Sequence, residues 1–209
     1  MKITWRERDH EEQKIFSVND PSTIRALRDC GLLKYFRLSG MRQHMELLEF
    51  LVHAWDPKIE AFHIRNKGVQ ISMEDIYFLT GFSRRGLPIS LLGFSLGGEK
   101  VRDYILQYCY PGAKTSKDGK IIIHDVCDFP LRTILFTIVK IAGTATLHVA
   151  NISYMQYALE CMEPTIFNWD EVVLSLMKEQ LSKTKGGRKK IFNYGLILIS
   201  FALEQIPLI

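Results

Sequence analysis

"PLRTILFTIVKIAG", Pro130 to Gly143, decides the fold. Its apolar residues follow neither the two-residue alternation of a half-buried strand nor the single stripe of a surface helix. They run nearly all the way round a helical barrel, which marks a helix buried at the centre of a larger core. The wider region "TILFTIVKIAGTATLHVANI" is broken by Lys140 and His148. A membrane span needs about 20 mainly apolar residues with few charges, so this segment reads as the inside of a globular domain. A helix covered on every side needs other helices around it.

The flanking sequence supplies them. Downstream, "ANISYMQYALECM" runs towards Pro164, and "NWDEVVLSLMKEQLSKT" starts with Asn168 and Glu171 spaced as a capping box. Trp169, Val172, Val173, Leu176 and Gln180 then fall on one side, and "IFNYGLILISFALEQ" is a last apolar helix before Pro207. Upstream, "GGEKVRDYILQYCYPG" sets Val101, Tyr104, Ile105 and Tyr108 on one face, and the polar loop "AKTSKDGK" follows it. "MRQHMELLEFLVHAW" repeats Met41, Met45, Leu48, Val52 and Trp55 at helical spacing and stops before Pro57, which disfavours helix in the residue preceding it. "DPSTIRALRDCGL" offers Ser22 as a cap and Gly31 as a stop. One stretch alternates instead: "EAFHIRNKGVQIS" reads as a hairpin with Asn66, Lys67 and Gly68 as turn residues.

The expected architecture is mainly α: a single globular multi-helix domain with a small β-hairpin over residues 21–209, preceded by a loose arm over 1–20. Strands do not alternate with helices, which argues against a doubly wound sheet. The chain stops at the apolar "IPLI", which reads as a piece of a longer protein. Of 209 residues, 47% are apolar and 24% charged, enough to build a sizeable core. Lys and Arg number 27 against 23 Asp and Glu, a net charge of +4 that permits a nucleic-acid partner without arguing for one. Cys30, Cys109, Cys127 and Cys161 form no CxxC pair and read as reduced, mostly buried thiols.

Motifs for chemistry are incomplete. "GFSLGGEK" has the glycine spacing of a phosphate loop, but Glu99 stands where Lys is needed and no hydroxyl follows Lys100. "HDVCD" places His124 and Cys127 three apart with no second pair to complete a zinc site. No GxSxG is present. "NIS" at Asn151 fits a glycosylation acceptor, but no secretion signal opens the chain. In "ISMEDIYFLTGFSRRGLPIS", Ile71 to Ser90, Glu74 and Asp75 point about 100° apart on a helix and do not converge as a general acid and base. Helix grammar explains them: Ser72 is the cap, Asp75 sits three residues on, Ile71 staples to Ile76, and Gly81 is a left-handed stop. It leaves Arg84 and Arg85 unaccounted for. "KTKGGRKK" adds a second basic segment with Lys183, Lys185, Arg188, Lys189 and Lys190.

Two blocks resemble the plant mobile domain, also called the aminotransferase-like plant mobile domain. The first is "LLEFLVHAWDPKIEAFHIRNKGVQISMEDIYFLTGFSRRGLPI", which matches the family at Trp55, Phe62, His63, Ile71, Ser72, Glu74, Asp75, Leu79, Gly81, Phe82, Gly86 and Pro88. The second is "FNWDEVVLSLMKEQL", led by Trp169, through "YGLILISFALEQIP". The sequence departs from the family pattern where "IRNKGVQ" replaces the usual LPxGE and where SRRG replaces a more acidic turn. The resemblance implies an α-rich, transposon-related, nuclear domain, and no cofactor is expected from the motifs present. It implies protein partners, a phosphoprotein phosphatase among them, and a link to transposon silencing or genome maintenance. The aminotransferase label does not transfer as chemistry, because neither a Schiff-base Lys nor a phosphate cradle is signed here. The leading expectation is thus a non-enzymatic protein-interaction module. The alternatives are a nucleic-acid-binding module using Arg84, Arg85 and the Lys183–Lys190 loop, and a cryptic enzyme with its groups gathered from distant segments.

Overall fold

The computed structural model describes residues 20–38, 44–89, 98–142, 148–163, 165–186 and 194–205. The expected N-terminal arm, Met41, most of "GFSLGGEK", and Arg188, Lys189 and Lys190 lie outside them. The architecture is mainly α, as the sequence predicts. In chain order the described elements are α1 (Pro21–Asp29), α2 (Leu33–Leu38), α3 (Met45–Ala54), β1 (Trp55–Asp56), β2 (Ala61–Ile64), β3 (Lys67–Val69), α4 (Met73–Thr80) and α5 (Gly98–Leu106). They continue with β4 (Lys120–Ile122), a 3-10 turn at Ile123–Asp125, α6 (Phe129–Ile141), β5 (Val149–Asn151), α7 (Ile152–Met162), α8 (Trp169–Lys185) and α9 (Gly195–Gln205).

α6 is the expected central helix. Asp128 caps it by accepting the Leu131 amide at 2.7 Å, and Pro130 sits in its first turn, where a missing N–H costs nothing. Every residue from Thr133 to Ile141 is buried. Thr133 and Thr137 return their hydroxyls to the carbonyls of Phe129 and Thr133, so polar side chains enter the core with their hydrogen bonds made. Lys140 lies in the same core with its ammonium 5.0 Å from the Phe136 ring centre.

Helices α1 and α7 pack on α6, and α5 packs on α7. The second group gathers around α8, which contacts α3, α4 and β1, while α9 packs on α3 and α4. Tyr194 is fully buried and its hydroxyl donates to the Ile141 carbonyl, tying the start of α9 to the end of α6. Cys30, Cys109 and Cys161 are buried and Cys127 is exposed, all as free thiols. The bond to Cys30 and burial push the Cys161 thiol up.

Several local expectations change. Asp20, not Ser22, caps α1, accepting the Thr23 amide at 2.8 Å; Ser22 donates to the same carboxylate. The hairpin turns one residue earlier than read, on Arg65 and Asn66, both at positive φ, and it gains a third strand, giving the order β1-β2-β3. Asn168 does not cap α8; its side-chain nitrogen donates to Glu171 Oε2 at 3.2 Å instead. The buried stripe of α8 is Trp169, Val173, Met177, Leu181 and Thr184, a phase that leaves Val172, Leu176 and Gln180 half-buried. A second sheet pairs β4 with β5 antiparallel, Ile121 opposite Ala150.

Candidate functional site

The family-motif residues divide by physical role. Trp55, Phe62, Phe82 and Trp169 are completely buried, and Ile71 and Leu79 nearly so. Trp55 stacks against Phe62 at 4.9 Å between ring centres, and its Nε1 donates to Ser182 Oγ at 3.1 Å. That single side chain ties the sheet to the last turn of α8. Trp169 closes a cluster with Phe167 and Tyr157, at 5.9 Å and 6.4 Å. His63 lies outside, 3.5 Å from Asp56. The Lys58 amide, and then His63, hold the Asp56 carboxyl below its ordinary range.

Ser72 and Asp75 make the expected capping box: Asp75 N–H donates to Ser72 Oγ at 3.2 Å, and Ser72 N–H donates to Asp75 Oδ2 at 2.7 Å. A cap of this kind contributes about 1 kcal/mol. Gly81 ends the helix at φ 72°, its N–H donating to the Tyr77 carbonyl at 2.8 Å. Ile71 and Ile76 both sit in the core, as the staple requires.

Beyond Gly81 the chain turns through Ser83–Pro88. Ser83 folds the turn on itself, taking the Arg85 amide at 3.1 Å and donating back to the Arg85 carbonyl. Leu87 then docks on the approach to α8: its N–H donates to the Ile166 carbonyl, and its carbonyl accepts the Asn168 amide, both at 3.0 Å. These bonds carry Arg84 to the N-terminal end of α8. There it lies 3.7 Å from Glu74 and 6.0 Å from the centre of the Tyr77 ring. Arg85 projects from the exposed tip.

The basic segment is elsewhere. Lys183 pairs with Glu179 one turn back, and Lys185 donates to the His53 carbonyl at 2.5 Å, closing the end of α3. Both sit at the C-terminal end of α8, where cations also complement the helix dipole. α8 has 17 residues, so about 25 Å separates its ends at 1.5 Å per residue. The structure does not gather Arg84 and Arg85 with Lys183 and Lys185 into one patch.

Around the arginine turn stands apolar surface that a periodicity reading passes over. Met73 and Tyr77 on α4, Phe78 beside them, and Leu87 and Ile166 across the turn are each 41–60% exposed. They lie on either side of the turn: Phe78 packs edge-on to Tyr77 at 5.4 Å with Arg84 over Tyr77, and Leu87, three residues on from Arg84, is hydrogen-bonded through its backbone to Ile166.

Beneath it lies a buried acid, Asp170, in the first turn of α8. Its Oδ1 accepts the Glu171 amide at 2.8 Å while Oδ2 has no hydrogen-bond partner among the described residues. Burial raises its pKa above the ordinary 3.8, only partly offset by the Glu171 amide and the Arg84 charge. The sign follows. Asp170 favours the folded state while protonated, and that contribution is lost as pH rises through the raised folded value. Asp170→Asn is expected to raise the melting temperature at neutral pH, and the gain should shrink to nothing below about pH 4, where the wild-type acid is protonated in both states. Thermal melts of both proteins across that range check it, and a gain that does not change with pH refutes it.

A cleft of about 610 Å³ opens on another part of the molecule, between α5, the start of α6 and α7. Ile105, Leu131, Leu159 and Met162 form its apolar walls, Tyr104 and Tyr108 one side, and Asp128, Glu160 and Glu163 its charge. Sequence reading placed Tyr104 and Tyr108 on one helix face but could not show what faced them.

The chain is therefore a mainly α domain with a clustered apolar and arginine surface and a separate acidic, aromatic cleft. It belongs to the family described as Domain of unknown function (DUF8566), which matches residues 13–199. No curated protein and no solved structure matches it.

Proposed function

We propose that this domain is a non-enzymatic protein-interaction module that docks a partner through α4 and the Ser83–Pro88 turn. One observation carries the reading: Met73, Tyr77, Phe78, Leu87 and Ile166 cluster at the surface around Arg84 and Arg85. Scattered exposed apolar residues are ordinary, but several gathered about one turn are a mark of an interaction site. Aromatic residues, Met and Arg are the types that protein interfaces favour. Arg84 pairs with Glu74 and lies over Tyr77, while Arg85 has no ion-pair partner among the described residues and offers its charge beside the apolar surface. The partner segment that fits is apolar with an acidic residue. The resemblance to the plant mobile domain supports the same reading and would make the module nuclear, serving transposon silencing or genome maintenance.

The test is capture from plant nuclear extract with wild-type protein, a Phe78→Ser/Arg85→Glu variant and a Lys183→Ala/Lys185→Ala variant. The expected result is a partner held by the wild type and the lysine variant and lost by the Phe78/Arg85 variant. Retention by all three overturns the assignment. A nuclease-sensitive capture lost in both variants supports nucleic-acid binding instead.

A further inference from the structure

The cleft between α5, α6 and α7 has a one-sided chemistry. Three carboxylates line it and no Lys, Arg or His does, among the described residues. They are not equivalent. Asp128 spends Oδ1 on the Leu131 amide that caps α6. Glu160 Oε1 accepts Gln156 Nε2 at 3.0 Å. That bond sets the Gln156 amide, since a carboxylate needs its nitrogen, and it leaves Gln156 Oε1 buried with no hydrogen-bond partner among the described residues. Glu163 stands at the end of α7 close to Tyr108. The Tyr104 and Tyr108 hydroxyls share a bond at 3.1 Å, with their rings edge to face at 5.6 Å. The Tyr108 phenol is raised first by that bond, and the charge of Glu163 adds to it.

The charge of such a site is carried by acceptors alone, and its only donors are neutral. A ligand bringing a positive charge and N–H groups to Glu160 and Glu163 gains twice, by charge and by charge-assisted hydrogen bonds to the carboxylates. An anion is repelled by every charge in the lining. A bare metal ion finds no built ligand set, because no group of three or more His, Cys, Asp or Glu is placed to hold one among the described residues. The apolar walls and paired rings call for a hydrophobic body, and an aromatic face also attracts a cation. The volume of about 610 Å³ lies in the range of small-molecule sites.

We propose that this cleft binds a protonated primary or secondary amine with an apolar or aromatic body. The ammonium sits between Glu160 and Glu163, and the body lies against Tyr104, Tyr108, Leu131 and Leu159. A quaternary ammonium carries the charge but no N–H, so it cannot hydrogen-bond the Glu160 and Glu163 carboxylates. The amine can come from a free small molecule or from a lysine side chain in a peptide. The cleft shares no residue with the α4 surface, so this proposal stands or falls separately from the docking assignment.

Calorimetric titration of the whole chain tests it with four probes: phenethylammonium, the neutral 2-phenylethanol, trimethyl(phenethyl)ammonium, and a short peptide with one Lys between Leu and Phe. Phenethylammonium or the peptide should bind at least about tenfold more tightly than the alcohol and the quaternary salt. Glu160→Gln/Glu163→Gln should weaken that binding by at least about tenfold, with the melting curve showing that the variant is folded. Should the double variant melt early, Glu163→Gln alone is the substitute, since Glu163 is exposed. Tighter binding of the free amine assigns a small-molecule site, and tighter binding of the peptide assigns a side-chain site; both support the ammonium chemistry. The proposal is overturned if the alcohol or quaternary salt binds as well as the amine. It is equally overturned if the folded variant keeps wild-type affinity, or if neither amine probe saturates the protein at millimolar concentration.

Discussion

Trp55→Ala is expected to destabilise the domain by about 3–5 kcal/mol, the range for truncating a large buried aromatic side chain. The indole is fully buried, and its loss opens a void next to Phe62, which itself packs on Phe201 of α9 at 5.9 Å. It also removes the donor to Ser182 Oγ, a polar tie between β1 and the last turn of α8. Small domains are stable by about 5–15 kcal/mol, so this one change removes a large share. Trp55→Phe separates the two contributions. It keeps most of the packing and loses the hydrogen bond, worth about 1 kcal/mol, along with part of the volume. Urea unfolding should show the midpoint falling much further for Trp55→Ala than for Trp55→Phe, with similar slopes. A fall of under about 1 kcal/mol for Trp55→Ala would mean that the indole is not the tie described here.

The same residue shows how much of the fold is legible from sequence. Trp55 closes a helical period that starts in α3, and it was read as part of that helix. In the structure the helix ends at Ala54 and Trp55 opens a strand, because Pro57 bars helix just ahead and the side chain packs inward either way. Burial is thus easier to read than the element that achieves it. The central helix α6 was legible because an apolar surface on all sides has one common explanation. The cap and stop of α4 were legible because they are local: Ser72, Asp75 and Gly81 act within their own turns. The caps of α1 and α8 differ from the reading for separate reasons. Asp20 takes the Thr23 amide and the Ser22 hydroxyl donates to it, while Asn168 gives its backbone N–H to Leu87 from across the fold and its side-chain nitrogen to Glu171.

The strand pair β4–β5 and the acidic cleft were not legible, since each needs partners far apart in the chain. "KIII" at 120–123 was a usable signal, an apolar run after a polar loop, but its partner Val149–Asn151 lies beyond the whole of α6. The cleft joins Tyr104 to Glu163 in the same way. Arg84 and Arg85 stand out in the sequence but their apolar surroundings do not, because Ile166 reaches the turn from across the fold.

Gly86→Ala is expected to detach the arginine turn from α8, and this bears directly on docking. Gly86 lies against backbone: a Cβ there would stand 2.5 Å from the Ile166 carbonyl oxygen and 2.7 Å from the Phe167 carbonyl carbon. Neither atom can swing aside as a flexible side chain does, so the turn or the α8 approach must move. Overpacking of this sort costs about 1–3 kcal/mol. The movement also breaks the Leu87 bonds to Ile166 and Asn168, worth about 1 kcal/mol each. Gly68→Ala is the matched control, since a Cβ there meets only the Ala61 Cβ at 3.9 Å, an ordinary contact, and it should change stability by under about 0.5 kcal/mol. Equal melting temperatures for the two variants would refute the close approach. Because Arg84, Arg85 and Leu87 all hang from this segment, Gly86→Ala should also lose the partner captured through the α4 surface, at a temperature where the rest of the chain remains folded. The amine cleft shares none of these residues, so its titration should be unchanged in the same protein. A Gly86 variant that loses the partner and keeps the amine ties docking to the turn itself rather than to general stability.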